Sequence, residues 1–425
     1  MELGVDHLVL LVGDNPLPLA LAVDAFSGFS LVSLVHSTET RRVACRLQAW
    51  VERHRQRNAR CYHLARPASP ADAYEVCLRA IREGASLIGG SPSLCVDYTG
   101  GTKVMAAQAR RAACRAQAEG LAARLVFSYL DYDAAEWVVD QESPTGLWEA
   151  PRVNRLPSSF HLSLNDIVTV HGRKITRLRR RPVLPESASA LARALVTEQS
   201  HRRWRDWKAK WLRPLLDESD RRLPEERLGA HTLKLPAHLP LADSLARELK
   251  AESVEGLPLG RVAGLCNLGP LDFCRWLDGG WLESYVFNLL SALAPNLSIT
   301  DCCLNLSSVP DGTGGEVGDA FEVDVAGVVG GSRLVVLSCT TDRTKRLAKQ
   351  KLLELSSRAR QLGGGRAAFG LVSCCPDGRL RTELRGLAEQ RSCAVFNVCS
   401  PTFEAELQQW LSGVALGAEG GGNGR

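Results

Sequence analysis

Leu94-Cys95-Val96-Asp97-Tyr98-Thr99-Gly100-Gly101-Thr102-Lys103 runs from a short apolar stretch into an alanine-rich segment that continues to Ala118. A buried strand ending in an acidic residue, then two glycines, then a helix start, is the βα junction of a parallel sheet. The glycines bare backbone N–H groups just before the helix, Thr102 adds a hydroxyl and Lys103 a positive charge. With the helix dipole these groups make a site for phosphate. The plainer reading is a tight turn closed by a helix cap. Lysine is scarce in this chain, 9 against 43 arginines, and Lys103 is the only lysine in residues 1–150. Where charge alone is needed arginine serves, so a retained lysine points to a compact donor.

Strand and helix alternate on both sides of this junction. Apolar runs at His7–Val12, Ser30–Val35, Arg60–Leu64, Leu94–Val96 and Ala123–Tyr129 read as strands, with Glu136–Val139 closing the set. Between them Pro16–Phe26, Arg41–Gln56, Ala71–Arg82 and Thr102–Ala118 read as helices. Such alternation predicts a Rossmann-like parallel sheet covered on both faces, with ligands at the carboxyl ends of its strands. Three loops lie there: Gly13-Asp14-Asn15-Pro16, His36-Ser37-Thr38-Glu39-Thr40 and Asp97–Lys103. A GxGxxG fingerprint is missing after the first strand, and Gly100-Gly101-Thr102-Lys103 has the wrong order for a P-loop. NAD and nucleoside triphosphates are therefore disfavoured, and with them a nucleotide-binding oxidoreductase.

With 425 residues, 45% hydrophobic and 23% charged, the chain is globular and divides into two or three domains. No apolar run reaches the ~18 residues of a membrane span, and the first residues lack the basic region of a secretory signal. Fourteen cysteines occur with no CxxC spacing. The expectation is a cytoplasmic protein with reduced thiols, no membrane association and no structural metal.

The net charge of +5 is concentrated in one place. Residues 1–150 carry 15 basic against 17 acidic side chains, and residues 151–222 carry 17 against 7. This middle segment, 151–265, reads as basic and mainly helical, with helices at Leu162–His171, Ala188–Gln199, His201–Leu216 and Leu241–Ala251. Trp204, Trp207 and Trp211 share one helix face, the pattern of a core stripe. Arg173–Arg181 holds six basic residues in nine. The segment is either a solvated linker or the wall of a channel that attracts a nucleic-acid backbone.

Residues 266–416 carry a candidate metal site. Glu283 opens a helix, Trp281–Leu293. After a glycine-rich loop at 311–319, Phe321-Glu322-Val323-Asp324-Val325 alternates, placing Glu322 and Asp324 on one strand face. Leu334–Ser338 is a buried strand, and Ser338 and Thr340 share a face. A helix follows, Thr344–Leu362, with Lys345, Lys349 and Lys351, and then strands at Ala367–Val372 and Cys393–Val398. Three carboxylates suit a hard cation, Mg²⁺ or Mn²⁺, which activates water against a phosphodiester. The glycine-rich tail, 417–425, is expected to be disordered.

The motif Asp97–Lys103 after the fourth strand, with Ser37-Thr38 after the second, resembles the CARF (CRISPR-associated Rossmann fold) domains. The resemblance covers roughly residues 1–150. It implies a two-fold homodimer that binds a cyclic oligoadenylate messenger, most simply cyclic tetra-adenylate, through Gly13, Asp14, Asn15, Ser37, Thr38, Thr99, Gly100, Gly101, Thr102 and Lys103. Residues 266–416 resemble the PD-(D/E)xK restriction-endonuclease fold in the branch joined to CARF domains. That pattern is a helix Glu, then Gly-x-Glu-x-Asp, then Glu-Cys-Lys and a helix, where Gln350 fits a recurrent glutamine. Glu283, Glu322 and Asp324 match, but Ser338-Cys339-Thr340 stands where Glu-Cys-Lys is expected. The resemblance implies an antiviral nuclease, activated by the messenger, that cleaves DNA or RNA with Mg²⁺ or Mn²⁺. Glu283, Glu322 and Asp324 would hold the metal. Ser338, Thr340 and a displaced lysine, Lys345 or Lys349, would complete the catalytic set. An ordinary amphipathic helix explains the lysines equally well, and a binding-only regulator with a decayed nuclease domain is the alternative function.

Overall fold

The computed structural model describes residues 4–26, 28–131, 136–142, 148–149, 152–153, 162–216, 225–311, 320–342, 344–374, 382–383 and 392–415. The glycine-rich loop after 311 and the C-terminal tail lie outside the described residues.

The N-terminal half is an eight-stranded sheet. Its strands are β1 His7–Leu11, β2 Leu31–His36, β3 Asn58–His63, β4 Ser93–Asp97, β5 Arg124–Asp131, β6 Glu136–Glu142, β7 Trp148–Glu149 and β8 Arg152–Val153. Helices α1 Leu17–Ala25, α2 Arg41–His54, α3 Pro70–Ile88 and α4 Lys103–Ala118 connect them. The order β3-β2-β1-β4-β5 is parallel throughout, and β6 turns back antiparallel on β5. Chain order reverses between β1 and β4, so the loops after them face each other, the usual place for a ligand in such sheets. The apolar strands are buried from end to end because helices cover both faces. Ser69 and Thr102 cap α3 and α4 by accepting from the N–H of Asp72 and Met105.

α5 Leu164–Val170 follows, and β9 Arg173–Arg179 opens a second sheet. The middle segment then forms α6 Pro185–Ala194, α7 Glu198–Trp207, a π turn Lys208–Leu212, α8 Arg213–Leu216, α9 Glu225–Ala230, α10 Leu241–Glu248, α11 Leu259–Leu265 and α12 Pro270–Arg275. A second π turn, Trp276–Gly280, runs into α13 Trp281–Leu297. The remaining elements are β10 Asp301–Pro310, β11 Phe321–Val329, β12 Arg333–Thr340, α14 Lys345–Gly363, β13 Ala368–Ser373, β14 Cys393–Asn397 and α15 Phe403–Ala415. The sheet order is β14-β13-β12-β11-β10-β9, antiparallel from β9 to β12 and parallel from β12 to β14.

The basic run at residue 173 is therefore not part of a helical linker. It is an edge strand of the C-terminal sheet, hydrogen-bonded to β10, with Arg173 stacked 4.3 Å from the centre of the Phe321 ring. The rest of the middle segment is equally integral. Leu191, Trp204 and Leu212 share one buried core with Phe273, Trp281, Leu337 and Phe403. Trp204, Trp207 and Trp211 stack at 4.6 and 5.4 Å, the core stripe their spacing predicts. A second core unites the halves: Leu8, Leu10, Leu21 and Trp50 belong to the same cluster as Ile167, Val336, Leu352 and Phe369. One face of each sheet thus packs through α1, α2, α5 and α14 into a single apolar body.

Candidate functional site

The loops after β1 and β4 meet at van der Waals distance. A Cβ on Gly100 would stand 2.2 Å from the Leu11 carbonyl oxygen and 2.9 Å from the Gly13 nitrogen, so only glycine fits. Gly101 holds φ at +74°, the left-handed region that glycine tolerates. Lys103 opens α4 with its side chain exposed at this rim, and Asp14, Thr38 and Gly101 are exposed there too.

The other candidates in these loops serve the fold. Thr99 Oγ1 accepts from Leu130 N (2.8 Å), and Thr102 Oγ1 caps α4. Ser37 is buried and exchanges hydrogen bonds with Thr40, its N–H donating to Thr40 Oγ1 at 3.0 Å. Asn15 Oδ1 accepts from Leu17 N at 3.1 Å. Its amide lies where a Cβ on Gly364 would be, so this loop abuts the turn between α14 and β13. Two histidines join the rim: His36, which opens the second loop, and His63, which no sequence pattern marks. Thr38 Oγ1 and His63 Nε2 are 3.0 Å apart, and the rings of His36 and His63 lie 5.5 Å apart. Their signal is positional: each ends a strand of a parallel sheet.

Asp97 is fully buried below this rim, where Ser128 Oγ (2.7 Å) and Thr99 N (3.1 Å) donate to it. Burial lifts its carboxyl to about 6, against the opposing pull of the Ser128 and Thr99 hydrogen bonds.

In the C-terminal domain, β11 alternates as its sequence demands. Phe321, Val323 and Val325 are buried while Glu322 and Asp324 face outward. The register Val325 to Leu337 carries Asp324 opposite Ser338. Asp324 Oδ2 accepts from Ser338 Oγ (2.9 Å) and from Cys339 N (2.6 Å). Glu283, in the first turn of α13, enters the same region. Burial first, then the charges of Asp324 and Glu322, push its carboxyl up to about 8, while Lys351 and Arg177 act in the opposite direction. Glu283 and Glu322 line one cavity of about 190 Å³ with Arg177, Arg179 and Arg275. β9 thus presents two arginines to the cleft that Glu283 and Glu322 line. Glu283 is buried beside the charges of Asp324 and Glu322, a repulsion that a divalent cation would relieve, although the ligand atoms of the three are not all within 4.8 Å of one another.

The three lysines of α14 have different surroundings. Lys351 Nζ donates to the Cys339 carbonyl at 3.0 Å and is the lysine whose charge reaches Glu283. Lys345 is exposed, and Lys349 pairs with Glu383 at 2.9 Å. The buried stripe of α14 is Ala348, Leu352, Leu355, Ala359 and Leu362. Lys351 sits three residues after Ala348 and four before Leu355, on the edge of that stripe, so its side chain follows the packed face back to the strand. Thr340 is buried and accepts from Asp342 N (3.2 Å), a turn role, and Gln350 is exposed.

The chain thus joins a Rossmann-like, mainly parallel sheet to a mixed α/β sheet domain. Residues 272–389 match the model of the Card1-like endonuclease domain. Among solved structures the chain is similar to Can2 from Sulfobacillus thermosulfidooxidans in complex with cyclic tetra-adenylate. There 96% of this chain covers 99% of that one at 17% identity and a TM-score of 0.66. It is similar to protein VC1899 from Vibrio cholerae at 16% identity over 96% and 98% of the two chains, with a TM-score of 0.69. A type III CRISPR defence DNA nuclease activated by cyclic oligoadenylate matches at 18% identity over 87% of this chain and 45% of its own, with a TM-score of 0.52. No curated protein sequence matches. At these identities the likeness is one of fold. Among the described residues no helix is long and apolar enough to cross a membrane.

Proposed function

We propose that this chain is a CRISPR-associated nuclease switched on by a cyclic oligoadenylate, with cyclic tetra-adenylate the first candidate. The single observation that carries the reading is the cleft in which Glu283 and Glu322 face Arg177 and Arg179. Carboxylates to hold a cation, beside arginines to hold a phosphodiester, are what hydrolysis of a nucleic acid requires. Glu283, Glu322 and Asp324 would hold Mg²⁺ or Mn²⁺, which when bound supplies charge stabilisation and an acidified water. Ser338 and the Cys339 N–H orient Asp324, and Lys351 places an ammonium against the strand that carries both. The arginines of β9 and α12 orient the backbone of the DNA or RNA strand.

At the other end of the chain, the rim of Gly13, Asp14, Thr38, Gly101 and Lys103 takes the messenger's phosphates, and Asn15, Ser37, Thr99, Gly100 and Thr102 shape it. A ring of repeated nucleotides suits a two-fold site, so the active form is a homodimer. The binding-only reading has one observation in its favour: β12 offers Ser338 and Thr340 where a carboxylate and a lysine would be expected. One experiment addresses both. Labelled single- and double-stranded DNA and RNA are incubated with the protein, with and without cyclic tetra-adenylate and Mn²⁺. Cleavage that needs both additions, and that Asp324→Asn abolishes while messenger binding persists, supports the nuclease. Messenger binding without cleavage of any substrate supports the regulator.

A further inference from the structure

We propose that the C-terminal domain holds a second metal site, for zinc, made by His201, Cys374 and Cys399. The ligand atoms of these three side chains all lie within 4.8 Å of one another, the one such group of His, Cys, Asp or Glu among the described residues. Tetrahedral zinc with Zn–S of about 2.3 Å and Zn–N of about 2.0–2.1 Å sets its donors roughly 3.5–3.8 Å apart. The 4.8 Å limit on the three donors is about 1 Å above that spacing. Two thiolates and an imidazole are a soft-to-borderline set, selective for zinc and poor for Mg²⁺ or Mn²⁺. The carboxylate cleft is the reverse, so the two sites sort their metals by donor chemistry.

The fold brings these residues together although their sequence spacing gives no sign of it. Cys374 follows the last residue of β13, and its N–H donates to the Thr340 carbonyl at 3.3 Å. Ser373 pairs with Asn397 across the parallel strands, and Val398 N donates to the Ser373 carbonyl at 2.9 Å. Cys399 then turns back, its N–H held by Asn397 Oδ1 at 3.0 Å. His201 arrives from α7 and is 4% exposed, and Cys374 is 1% exposed. Neither cysteine is in a disulfide. Three protein ligands leave a fourth position for water.

The same helix run carries a second tie. Beyond α7, buried Lys208 donates to the Asp278 carbonyl (2.6 Å), to Asp278 Oδ1 (2.8 Å) and to Thr341 Oγ1 (3.2 Å). Zinc would thus pin α7 to the ends of β13 and β14, as Lys208 pins its continuation to the exit of β12 and the entry to α13.

The test is elemental analysis of the full chain purified without a metal-affinity step and dialysed against metal-free buffer. One zinc per chain is expected. It should persist in Asp324→Asn and be lost in Cys399→Ser and in His201→Gln, each checked for folding by circular dichroism. On wild type, a mercurial thiol reagent should release the zinc to a chromogenic chelator. Exchange with Co²⁺ should give thiolate charge-transfer bands and the visible bands of tetrahedral cobalt, absent from Cys399→Ser. A chain without zinc and without a cobalt–thiolate spectrum overturns the proposal. So does zinc that leaves with Asp324→Asn rather than Cys399→Ser, or a Cys374–Cys399 disulfide in the native chain by mass.

Discussion

Trp50 Nε1, buried in α2, donates a 2.9 Å hydrogen bond to Asp166 Oδ1 in α5, and so joins the two halves of the chain at one point. α2 begins just after the Ser37-Thr38 loop. α5 is fixed to the second sheet where Leu164 N donates to Asp301 Oδ2 (2.9 Å), and Arg180, one residue beyond β9, pairs with the same carboxylate. β9 in turn carries Arg177 and Arg179 into the cleft of Glu283 and Glu322. Polar contacts therefore link α2 through α5 to Asp301 and Arg180, next to the strand that carries the arginines. Trp50→Phe removes one donor to a carboxylate, worth about 1.5–3 kcal/mol, and keeps most of the packing. The expected outcome is unchanged messenger affinity by calorimetry with messenger-stimulated cleavage reduced at least several-fold. Equal stimulation in the variant would remove this contact from the coupling.

The rim makes a more local prediction. Lys103 is exposed at the start of α4, so Lys103→Ala costs little stability. A charge-assisted phosphate contact contributes roughly 1.5–3 kcal/mol, so messenger affinity should fall about tenfold or more. Gly100→Ala should behave differently, because its Cβ would meet the Leu11 carbonyl and not a mobile side chain. Its melting temperature should drop along with its affinity. Calorimetric titration and thermal melts of the two variants separate the effects.

Asp97 gives a pH signature. Burial disfavours its charge and pushes its carboxyl up to about 6 in the folded chain, from the ordinary 3.8. A raised carboxyl binds a proton more readily folded than unfolded, so its contribution is full below pH ~4 and falls as pH rises through 6. At about 1.4 kcal/mol per unit, the loss is on the order of 3 kcal/mol. Asp97→Asn keeps both hydrogen bonds, since the Ser128 hydroxyl can accept instead of donate. Relative to this variant, the wild type should lose stability between pH 4 and pH 7 in urea denaturation. Parallel stability curves for the two proteins would contradict the burial account.

The first sheet was legible because its strands are short, apolar and evenly interrupted, and because glycine at 100 and 101 answers a backbone demand that no other residue meets. Whereas Glu283 on α13 was singled out only by the family pattern, the shared face of Glu322 and Asp324 was legible for a similar reason, period-two alternation in β11. β9 was not, since an edge strand bounded by solvent carries charge, and Arg173–Arg179 reads as a basic run until β10 is placed beside it. β10 itself, Asp301–Pro310, opens with an acid and two cysteines, a weak strand signal that only its pairing with β11 resolves. His201, Cys374 and Cys399 meet through the parallel register of β13 and β14, which no local pattern encodes.

Lys345 and Lys349 share a face and lie nearest the end of β12 in sequence, and on that ground they are the natural candidates for a displaced lysine. The stripe that packs on the sheet decides otherwise, because a long side chain at its edge is guided by its own methylenes along buried surface. Lys351 meets the Cys339 carbonyl, in the strand residue whose N–H holds Asp324. Its ammonium is thus within two hydrogen bonds of the carboxylate, while Lys349 is spent on Glu383. Lys351→Met, which keeps length and packing, should lower the single-turnover rate at saturating messenger by about a hundredfold or more, the scale of losing one preorganised donor. Lys345→Ala and Lys349→Ala should each change it by less than about threefold. Melting curves guard against a trivial loss of fold, and Lys351→Arg tests whether charge alone is enough, since a guanidinium cannot occupy the compact ammonium position. Equal, small effects at all three lysines would mean that no lysine assists, and a strong effect at Lys349 alone would return the role to the first turns of the helix.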